Sequence, residues 1–407
     1  MLPPGFASAP ARSSYDVVII GGAIMGSAAA WFLTRDPDFD GSVLVVERDP
    51  AYERCSTAHT NSCMRQQFST ELNVRISQFG AEFVKTLHER MGGDPDVPRL
   101  SIRNFGYLYL AADQAFAETL RANWRVQRAA GAGTELLSPD EIAARYPFYA
   151  LDDVVLGSIN TRDEGWFDGA ALFDQLRRGA RAAGAEFVAD EAAALELAPS
   201  GARVEAVRLA SGARVACGCV VNAAGPRAAR VAAMTGIDLP VEPRKRFTWI
   251  FKAERPLERD LPLTIDPSGV HVRENGGGTY MCGAAPEPDE AVDPDDFEMD
   301  LAMWEERVWP ALARRIPRFE AIRQTHCWAG HYAMNLLDRN AVIGPHPRVG
   351  NFHFINGFSG HGLQQAPAMG RGLAEMIVHG AYRSLDLSPF GYERIEAGRP
   401  IRERAVI

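Results

Sequence analysis

The sequence predicts an α/β fold with two domains, and three observations carry that prediction. A strand, a glycine-rich turn, a helix, a second strand and an acidic residue follow one another within residues 16–47. Residues 352–363 again run from a strand through glycines into a helix, and strand-like and helix-like segments lie between these two units. We therefore expect a Rossmann-like nucleotide-binding domain and a second domain built on a mixed or antiparallel sheet.

The opening unit matches the βαβ pattern that binds dinucleotides. Asp16 and the apolar run at 17–20 lead into GGAIMG at 21–26, and the apolar strand at 43–46 ends at Glu47. In this pattern the glycines make a tight turn and the helix N-terminus faces the pyrophosphate. The acid, about 20 residues further on, accepts hydrogen bonds from a ribose hydroxyl. An ordinary βαβ unit with chance glycines is the alternative interpretation.

One position departs from this pattern. Ala23 stands where a second glycine usually lets the backbone approach the phosphates closely. The extra methyl group predicts a ligand that lies slightly further out, and we expect Gly22 beside it to compensate in part.

Composition excludes several classes of function. The net charge of −9 argues against nucleic acid as the main partner, because phosphate binding needs a basic face. No apolar run is long enough to span a bilayer. Residues 1–14 have neither a basic start nor a long hydrophobic stretch, so we expect a disordered leader and no secretory signal. These features predict a cytoplasmic protein without a transmembrane segment, and they leave peripheral membrane association open.

The residues that commonly bind metals do not form a recognisable site. The six cysteines are scattered without the paired spacing of zinc or redox motifs, which favours free thiols in a reducing cytoplasm. His326, His331, His346 and His353 are not accompanied by a compact group of carboxylate or cysteine partners. The sequence therefore predicts no metal site.

A second strong pattern lies toward the end of the chain. Residues 352–356 read as an apolar strand, GFSGHG follows at 357–362, and a helix is expected from about Leu363. A glycine-rich loop that feeds a helix leaves backbone N–H groups unpaired and gathers about half a positive charge there. This helix end is predicted to stabilise an anionic group.

Four segments together allow a comparison with known families. They are the fingerprint that ends at Glu47, the Ser56-Thr57 loop, the strand VNAAG within 220–225, and the closing GFSGHG segment. In this combination the chain resembles the D-amino acid oxidase superfamily of FAD enzymes, which includes sarcosine oxidase, glycine oxidase and dimethylglycine dehydrogenase.

One branch of that superfamily is especially similar. WAGHY at 328–332, GPHP at 344–347 and GHGLQQAP at 360–367 look like the mitochondrial FAD-dependent oxidoreductase domain-containing proteins, which are implicated in complex I assembly. This likeness keeps a second function open, a low-turnover flavin-binding assembly or scaffold protein. A nicotinamide-linked reductase is disfavoured because no second glycine fingerprint for NAD(P)H is visible.

The resemblance implies a glutathione-reductase-like FAD-binding domain assembled from separated segments. The expected boundaries are 15–98, 161–240 and 338–407 for the FAD-binding domain, 99–160 and 241–337 for the substrate-binding domain, and 1–14 for the leader. Residues 289–300 are acidic and punctuated by proline, which predicts a surface loop.

The resemblance also implies a reaction. A small or N-substituted amino acid, such as a sarcosine-like secondary amine, would pass a hydride from its α-carbon to flavin N5, and the imine would then hydrolyse. Because the cofactor carries the difficult step, the protein must hold the substrate carboxylate, exclude water and favour the unprotonated amine.

The same resemblance assigns residues to the cofactor. The closing loop and helix end are expected to face the N1–C2=O region of the reduced isoalloxazine. The residues expected to bind FAD are Gly21, Gly22, Ala23, Ile24, Met25, Gly26, Glu47, Arg48, Ser56, Thr57, His59, Ala224, Gly225, Gly330, Gly357, Ser359, Gly360, His361, Gly362 and Leu363.

Four residues are candidates for the catalytic site. Arg65 matches the region in which sarcosine oxidases carry an arginine that binds the substrate carboxylate, and a surface arginine on a polar loop is the alternative. His271 and Tyr332 are expected to face the substrate, although both would also suit packed positions with a backbone partner. His361, in the glycine loop, is expected to contact the flavin.

Two departures from sarcosine oxidases bear on substrate and electron acceptor. Gln364 stands where that family has a second lysine for the substrate carboxylate, which weakens the case for sarcosine itself. Met281 stands where an oxygen-activating lysine is found. The absence of this lysine predicts a slow oxidase or a dehydrogenase that passes electrons to a quinone, a carrier protein or a partner subunit.

The positions of covalent flavin attachment are also altered. Ala58-His59-Thr60 only partly matches the Trp-His segment of the dehydrogenases, and Gly330 replaces the cysteine of monomeric sarcosine oxidases. Cys327 lies three residues before Gly330. We therefore expect non-covalent FAD.

Overall fold

The computed structural model describes residues 2–404, in which two eight-stranded sheets and one two-stranded sheet are formed. The strands are β1 (Ser14–Ile20), β2 (Val43–Glu47), β3 (Cys63–Met64), β4 (Tyr107–Ala111), β5 (Glu135–Leu137), β6 (Leu156–Asn160), β7 (Gly165–Trp166), β8 (Glu186–Ala189), β9 (Ala192–Leu197), β10 (Val204–Leu209), β11 (Arg214–Asn222), β12 (Val241–Ala253), β13 (Leu263–Ile265), β14 (His271–Gly276), β15 (Thr279–Ala284), β16 (Ile322–Asn335), β17 (Val342–Pro345) and β18 (Phe352–Asn356).

Helices cover and connect these sheets. They are α1 (Ile24–Arg35), α2 (Glu71–Lys85), α3 (Leu87–Arg90), α4 (Gln114–Ala129), α5 (Pro139–Arg145), α6 (Gly169–Ala182), α7 (Ala228–Ala233), α8 (Trp309–Arg315), α9 (Gly362–His379) and α10 (Glu393–Glu396). A π-helical turn, Trp304–Val308, precedes α8. No helix within residues 2–404 is both long and apolar enough to cross a membrane.

The first sheet has the order β17-β18-β11-β1-β2-β8, with β10 and β9 added beside β11. β1 pairs in parallel with β2 and β11, which explains its apolar run at 17–20, because a parallel strand is buried on both faces. Val17 and Ile19 pack in the core that contains α1, α6 and α9, whereas Val18 and Ile20 pack in the core on the opposite face.

Small residues bring the two helices that feed the site close to the sheet and to each other. A Cβ at Gly26 of α1 would lie 1.9 Å from the Gly21 carbonyl oxygen, so only glycine permits this helix–strand contact. A Cβ at Gly370 of α9 would lie 2.8 Å from Ala28 of α1. Glycines at these two positions therefore let α1 and α9 pack closely behind the same edge of the sheet.

The second sheet has the order β16-β12-β15-β14-β13-β4-β6-β5, and its pairs are antiparallel except for the parallel pair of β13 and β4. Its outer face packs aromatic side chains, including Trp249, Phe251 and Tyr280, against the α8 region. The predicted fold class is confirmed: a largely parallel, helix-covered sheet stands beside a mixed sheet.

The chain crosses between the two sheets several times. Strands within 107–160 and 241–335 build the second sheet, whereas strands within 14–47, 186–222 and 342–356 build the first. This assignment of strands supports the predicted discontinuous domains, whose boundaries remain a proposal. Met1 of the leader and residues 405–407 of the last segment lie outside the described residues.

The prediction of a disordered leader is wrong for the residues that the structure describes. The Ala7 N–H donates to the Phe187 carbonyl at 2.9 Å, and the Ala189 N–H donates to the Ala7 carbonyl at 3.0 Å. The Phe6 ring contacts the rings of Phe187 and Tyr52, with centroids 5.8 and 6.1 Å away. Pairing with an edge strand and one half-buried aromatic ring therefore fix a segment whose composition alone indicates disorder.

Two predicted helices also differ in detail. The sequence predicts one helix from about residue 71 to 91 and another around 303–316. The first is divided at Thr86 into α2 and α3, and the second contains the π-helical turn. Hydrophobic period alone does not detect such local changes of winding.

Candidate functional site

A cavity of about 360 Å³ lies where the carboxyl ends of the first sheet face the second sheet. Ligands of open α/β sheets bind at this edge because the glycine turns and the helix N-termini lie there. Its wall is formed by parts of residues 20–25, 46–65, 190–192, 223–234, 246–248, 330–333 and 358–364, together with Tyr107, Leu263, His271 and Pro294.

Glu47 is fixed at the end of β2 by the turn that precedes α1. The Gly22 N–H donates to Glu47 Oε2 at 2.8 Å, and the Asp49 N–H donates to Oε1 at 2.7 Å. Burial raises the pKa of Glu47, while these two backbone donors lower it. Each carboxylate oxygen has a second lone pair, so Glu47 can still accept a hydrogen bond from a ribose hydroxyl.

The predicted contacts of the fingerprint divide into two groups. Gly21, Ala23, Ile24 and Met25 line the cavity, with Ala23 at the N-terminus of α1. Gly22 and Gly26 do not line it. The Gly22 N–H is occupied by Glu47, and Gly26 is the packing glycine of α1. We therefore correct their predicted role from ligand contact to support of the turn.

The loop after β11 forms a further part of the wall. Ala224 and Gly225 line the cavity, Gly225 has φ +55°, and among the described residues no atom beyond its chain neighbours lies within 4 Å of the position its Cβ would occupy. Arg227 and Arg230 follow on the same wall. This open backbone beside two guanidinium groups suits the negatively charged part of a dinucleotide.

The closing glycine loop brings the N-terminus of α9 to the cavity. Gly360 has φ +94°, and a Cβ there would lie 2.4 Å from the ring of Tyr332. Ser359, Gly362 and Leu363 line the cavity, and no side chain of the described residues caps α9. The first backbone N–H groups of α9 can therefore donate hydrogen bonds to a ligand.

Gly357 is an exception within this loop. It does not line the cavity; its φ is +70°, and a Cβ would lie 3.2 Å from side-chain atoms of Asn335 and Val241. Its predicted flavin contact is corrected to a turn that connects β18 to the loop.

The Ser56-Thr57 loop joins both sheets around the cavity. Ser56 Oγ donates to the His331 carbonyl at 2.6 Å, and Thr57 Oγ1 accepts from the Ile24 N–H at 3.3 Å. Arg48 and His59 also line the cavity, as predicted for cofactor contacts. The loop thereby sets the spacing between the N-terminus of α1 and β16.

The residues present fit FAD. Besides Glu47 and the two helix N-termini, four wall residues have a buried side-chain polar atom without a hydrogen-bond partner among the described residues: Asn61 Oδ1, Asp190 Oδ2, Arg246 Nε and His271 Nδ1. Native proteins rarely leave such atoms unsatisfied, so a polar ligand is expected to reach them. An extended dinucleotide with a polar ring system can satisfy both ends of this wall.

Arg65 is buried, with an exposure of 1%, and it lines the cavity. Its backbone N–H donates to Gln364 Oε1 at 2.8 Å. Its guanidinium donates to the Gln67 carbonyl and to Tyr109 Oη, both at 2.6 Å, and lies 2.6 Å from His361 Nε2. The alternative of a surface arginine is therefore wrong, because the β3 loop turns this side chain inward.

His361 is neutral and accepts from Arg65. Burial lowers the pKa of His361 well below its usual range, and the nearby Arg65 charge lowers it further. The Arg65 guanidinium can only donate, so His361 Nε2 is the acceptor in this contact. The Phe68 ring contacts both side chains, 4.1 Å from the Arg65 guanidinium carbon and 5.1 Å from the His361 ring centroid.

Tyr332 and His271 reach the cavity from the second sheet. The Arg246 guanidinium carbon lies 4.7 Å from the centroid of the Tyr332 ring. His271 Nε2 is 2.8 Å from Asn61 Nδ2, and burial lowers the pKa of His271 to about 4. Both predicted residues therefore line the same wall as Arg65, and His271 is neutral at pH 7.

The structure also shows which of the positions considered for covalent flavin attachment lie on the cavity wall. His59 lines the cavity, its Nδ1 is 3.0 Å from the Cys55 carbonyl, and Gly330 packs against it, since a Cβ there would lie 2.8 Å from the His59 Cβ. Cys327 is not part of the wall, whereas Cys55 and Cys63 are.

Sequence reasoning missed several wall residues. Arg246, Phe247 and Thr248 of β12 line the cavity, as do Tyr107 of β4 and Leu263 of β13. The run Arg244-Lys245-Arg246 inside a predicted strand was an available signal, because three successive cations are unusual where alternate side chains are buried.

Those cations hold an acidic segment over the cavity. We call residues 289–296 the acidic strap. Asp289 pairs with Arg246 through two 2.9 Å contacts, and Asp296 pairs with Lys245 at 2.6 Å. The strap backbone also pairs with β12 at Ala291 and Arg244.

The other half of the strap pairs with the first sheet's side of the cavity. Asp295 contacts Arg48 and Arg227, and Asp293 contacts Arg230 at 2.9 Å. Pro294, between them, lines the cavity. The prediction of a surface loop is confirmed, since most of these residues are exposed and form no helix or strand. The structure adds that cations on both sides of the cavity pair with the carboxylates of this loop.

Met281 is not part of the wall, although its family position suggested proximity to the flavin. Its Sδ atom lies 3.2 Å from the guanidinium of Arg273, a buried cation that also donates to the Asn61 carbonyl at 3.0 Å. The positive charge in this region is therefore that of Arg273, which lies behind the cavity wall and not on it.

Comparison with known proteins agrees with this geometry. The profile of the family described as DAO, FAD dependent oxidoreductase, matches residues 16–376. FAD-dependent oxidoreductase domain-containing protein 1 of Bos taurus is 37% identical over 430 residues, covering 98% of this chain and 88% of that protein. Mitochondrial sarcosine dehydrogenase of Mus musculus is 25% identical over 415 residues, covering 98% of this chain and 44% of that protein.

A solved structure shows the same arrangement. The crystal structure of L-proline dehydrogenase from P. horikoshii superposes with a TM-score of 0.81 at 27% identity, covering 96% of this chain and all of that chain. The glycine turns, Glu47 and the facing second sheet are thus placed within a known cofactor fold. The chain belongs to the DAO family of FAD-dependent oxidoreductases, and its cofactor is FAD.

Proposed function

We propose that this protein oxidises the C–N bond of a small or N-substituted amino acid. The observation that carries the proposal is the buried Arg65 guanidinium, which lies on the wall of the cavity that the FAD loops build. Bound there, FAD would supply the acceptor for the hydride that leaves the substrate's α-carbon. The imine product then hydrolyses to a carbonyl compound and an amine.

Arg65 would bind the substrate carboxylate. Its planar guanidinium presents paired donors that match the two oxygens of a carboxylate better than a lysine would. Its contacts with Tyr109 and neutral His361 fix its plane before a substrate arrives, which lowers the entropy lost on binding.

The charges of the wall favour an unprotonated amine. Arg65 and Arg246 are positive, and His271 is neutral at pH 7. The Arg65 guanidinium in a largely buried cavity disfavours a second positive charge beside it, so the substrate ammonium loses its proton more easily there, whereas the charge of Arg246 is offset by its pair with Asp289. The neutral amine is the form whose nitrogen lone pair supports hydride loss from the adjacent carbon.

Secondary amines are the substrate class we favour. The relatives named sarcosine dehydrogenase and L-proline dehydrogenase both carry a secondary amino acid in their names. Asn61 Oδ1 and His271 Nδ1 supply polar contacts beyond Arg65, which supports a polar small substrate. We also propose that FAD is bound without a covalent link, so acid precipitation should release the flavin into the supernatant.

An anaerobic substrate panel tests the proposal. The yellow holoprotein is mixed without oxygen with sarcosine, N,N-dimethylglycine, L-proline and glycine, and the flavin absorbance is followed. Bleaching by at least one amino acid is expected. A protein that stays yellow with every compound would contradict the proposal and favour the low-turnover assembly or scaffold protein.

The electron acceptor is tested on the same reduced protein. Because Met281 replaces a lysine, we propose slow reoxidation by air and faster reoxidation by a quinone or a carrier protein. Rapid peroxide release, equal to the substrate consumed, would contradict this part of the proposal alone.

A further inference from the structure

Glu164, between β6 and β7, is a fully buried carboxylate that does not line the cavity. Its Oε1 accepts from the Gln66 N–H at 2.5 Å and from Asn160 Nδ2 at 2.9 Å. Its Oε2 accepts from Gln67 Nε2 at 3.0 Å. Three donors from two separate parts of the chain therefore converge on this one side chain.

Such a group is costly unless its surroundings require it. A carboxylate loses its hydration on burial, and burial raises the pKa of Glu164 to about 7 although its three hydrogen bonds and the charge of Arg65 lower it. A leucine or methionine would fill the same space without this penalty. The presence of a glutamate at this position is therefore better explained by the groups that donate hydrogen bonds to it than by packing.

What Glu164 holds is the segment that sets the direction of Arg65. Gln66 and Gln67 directly follow Arg65, and the Gln67 carbonyl accepts from the Arg65 guanidinium at 2.6 Å. The Gln67 side chain is fixed further by Ser158 Oγ, which donates to its Oε1 at 2.8 Å. Movement of Gln66 or Gln67 would carry the Arg65 guanidinium with it.

We propose that Glu164 is a positioning residue, whose buried carboxylate fixes residues 65–67 so that Arg65 presents its guanidinium to the substrate carboxylate. The inference rests on the proposed function, because it assumes that Arg65 binds the substrate. It extends that function by placing a determinant of amino-acid affinity behind the cavity wall, on the connection between β6 and β7.

Glu164→Gln is the decisive variant because it keeps the shape, replaces one acceptor oxygen with an amide donor, and removes the negative charge that Glu164 carries above its pKa of about 7. The new amide group would face the Gln67 amide, so one of the three hydrogen bonds is lost. We expect the KM for the amino-acid substrate to rise roughly tenfold and kcat to change less than about twofold. The reason is that substrate binding depends on Arg65, whereas the hydride step does not. Flavin content should not change.

Glu375→Gln provides a matched control. Glu375 of α9 is also a buried glutamate, and it accepts from the Arg383 and Ser384 N–H groups at 2.8 and 3.1 Å, but it does not line the cavity or contact residues 65–67. This variant should leave KM unchanged. An equal rise of KM in both variants would overturn the inference, because it would show a general cost of neutralising a buried glutamate.

A double-mutant cycle with Arg65→Met tests the route of the effect. If Glu164 acts through Arg65, Glu164→Gln should not raise KM further once Arg65 is absent, so the two changes should be strongly non-additive. Additive effects would overturn the positioning role. An Arg65→Met variant with unchanged KM would instead remove Arg65 from the proposed function and, with it, this inference.

Two measurements do not require turnover. Hydrogen exchange of the amides of residues 64–68 should be faster in Glu164→Gln than in wild type or Glu375→Gln, and the dissociation constant for propionate, read from the flavin spectrum, should rise. If exchange is faster in Glu164→Gln but the affinity for propionate is unchanged, Glu164 does not influence how Arg65 binds a carboxylate, and the inference is overturned. If no amino acid bleaches the wild-type flavin and propionate does not bind, the proposed function fails. Separately, unchanged hydrogen exchange of residues 64–68 in Glu164→Gln would show that Glu164 does not fix this segment.

Discussion

Arg65 carries a positive charge where almost no water reaches it. Its exposure is 1%, and its guanidinium contacts a carbonyl, a phenol and a neutral imidazole. Electrostatic attraction weakens less with distance in such a poorly hydrated region than at the surface, so a carboxylate gains more there from a single cation. The residue thus combines preorganised geometry with a strong local field.

Replacement of Arg65 should therefore separate substrate affinity from cofactor binding. Arg65→Met is expected to raise the KM for an amino-acid substrate roughly tenfold to hundredfold, since a hydrogen bond to a charged group contributes about 1.5–3 kcal/mol. Flavin content, measured as the ratio of flavin to protein absorbance, should fall far less. Steady-state kinetics on the compound identified in the anaerobic panel measure the effect.

Arg203→Met is the control, because Arg203 is exposed, donates to the Gly218 carbonyl and does not line the cavity. It should leave both KM and flavin content unchanged. A normal KM in Arg65→Met would exclude Arg65 from the substrate site.

The acidic strap is the element that joins the two sides of the cavity. Its carboxylates pair with Arg246 and Lys245 of β12 and with Arg48, Arg227 and Arg230 beside the nucleotide end. Isolated surface pairs contribute little, but a network that pairs one segment with both sides can hold it in place. The strap is therefore expected to slow the escape of the flavin.

Asp295 is the best position for testing this role because it contacts two cavity arginines, Arg48 and Arg227. Asp295→Asn should increase the rate of FAD release a few-fold at low ionic strength. Added salt should narrow the difference from wild type, because about 1 M salt screens exposed charges within a few ångströms. Flavin fluorescence after dilution measures the release.

Asp140→Asn, an exposed change on α5, is the matched control and should release FAD at the wild-type rate. Equal release rates for Asp295→Asn and wild type at low ionic strength would show that the strap does not retain the cofactor.

Across the whole molecule, five histidines are buried, whereas the other four are half-buried or exposed. Five of the nine histidines have a lowered pKa, chiefly because of burial; they are His271, His331, His346, His353 and His361. The unfolded chain takes up protons at these groups near pH 6.5, whereas the folded chain does so only at lower pH. Their contribution to stability is thus complete above pH 6.5 and is lost as the pH falls toward 4.

His353 isolates this effect, because it is buried in β18, does not line the cavity, and has a pKa of about 4. His353→Gln should make the fall in unfolding free energy between pH 6.5 and 4 shallower, by at most about 1.4 kcal/mol per pH unit. Denaturant unfolding at several pH values measures this slope. His326→Gln, at an exposed position, should retain the wild-type slope, and an unchanged slope in His353→Gln would contradict the prediction.

Sequence patterns were informative where a function requires contiguous residues. The opening fingerprint, Glu47 and the closing glycine loop each lie in one short segment, so spacing alone located them. Arg65 was found through a family resemblance, but its burial was not, because the inward direction of the β3 loop depends on Gln67, Tyr109 and His361 from three parts of the chain.

Other contributions could not be seen in the sequence. Glu164, to which Asn160 donates, accepts hydrogen bonds from Gln66 and Gln67, which are almost 100 positions earlier, and Asp295 pairs with Arg48. Hydrophobic period and turn chemistry describe neighbours along the chain, whereas these pairs arise only when β6, β12 and β11 are brought together.

The amino-acid sequence by itself determined the class of fold, the nucleotide turn and the family, because glycine turns and apolar strands are local consequences of backbone geometry and burial. Only the tertiary structure decided that Arg65 faces inward, that Glu164 stands behind it and that the acidic strap crosses the cavity. Those arrangements depend on distances between remote segments, and such distances are set when the two sheets pack against each other around one cavity.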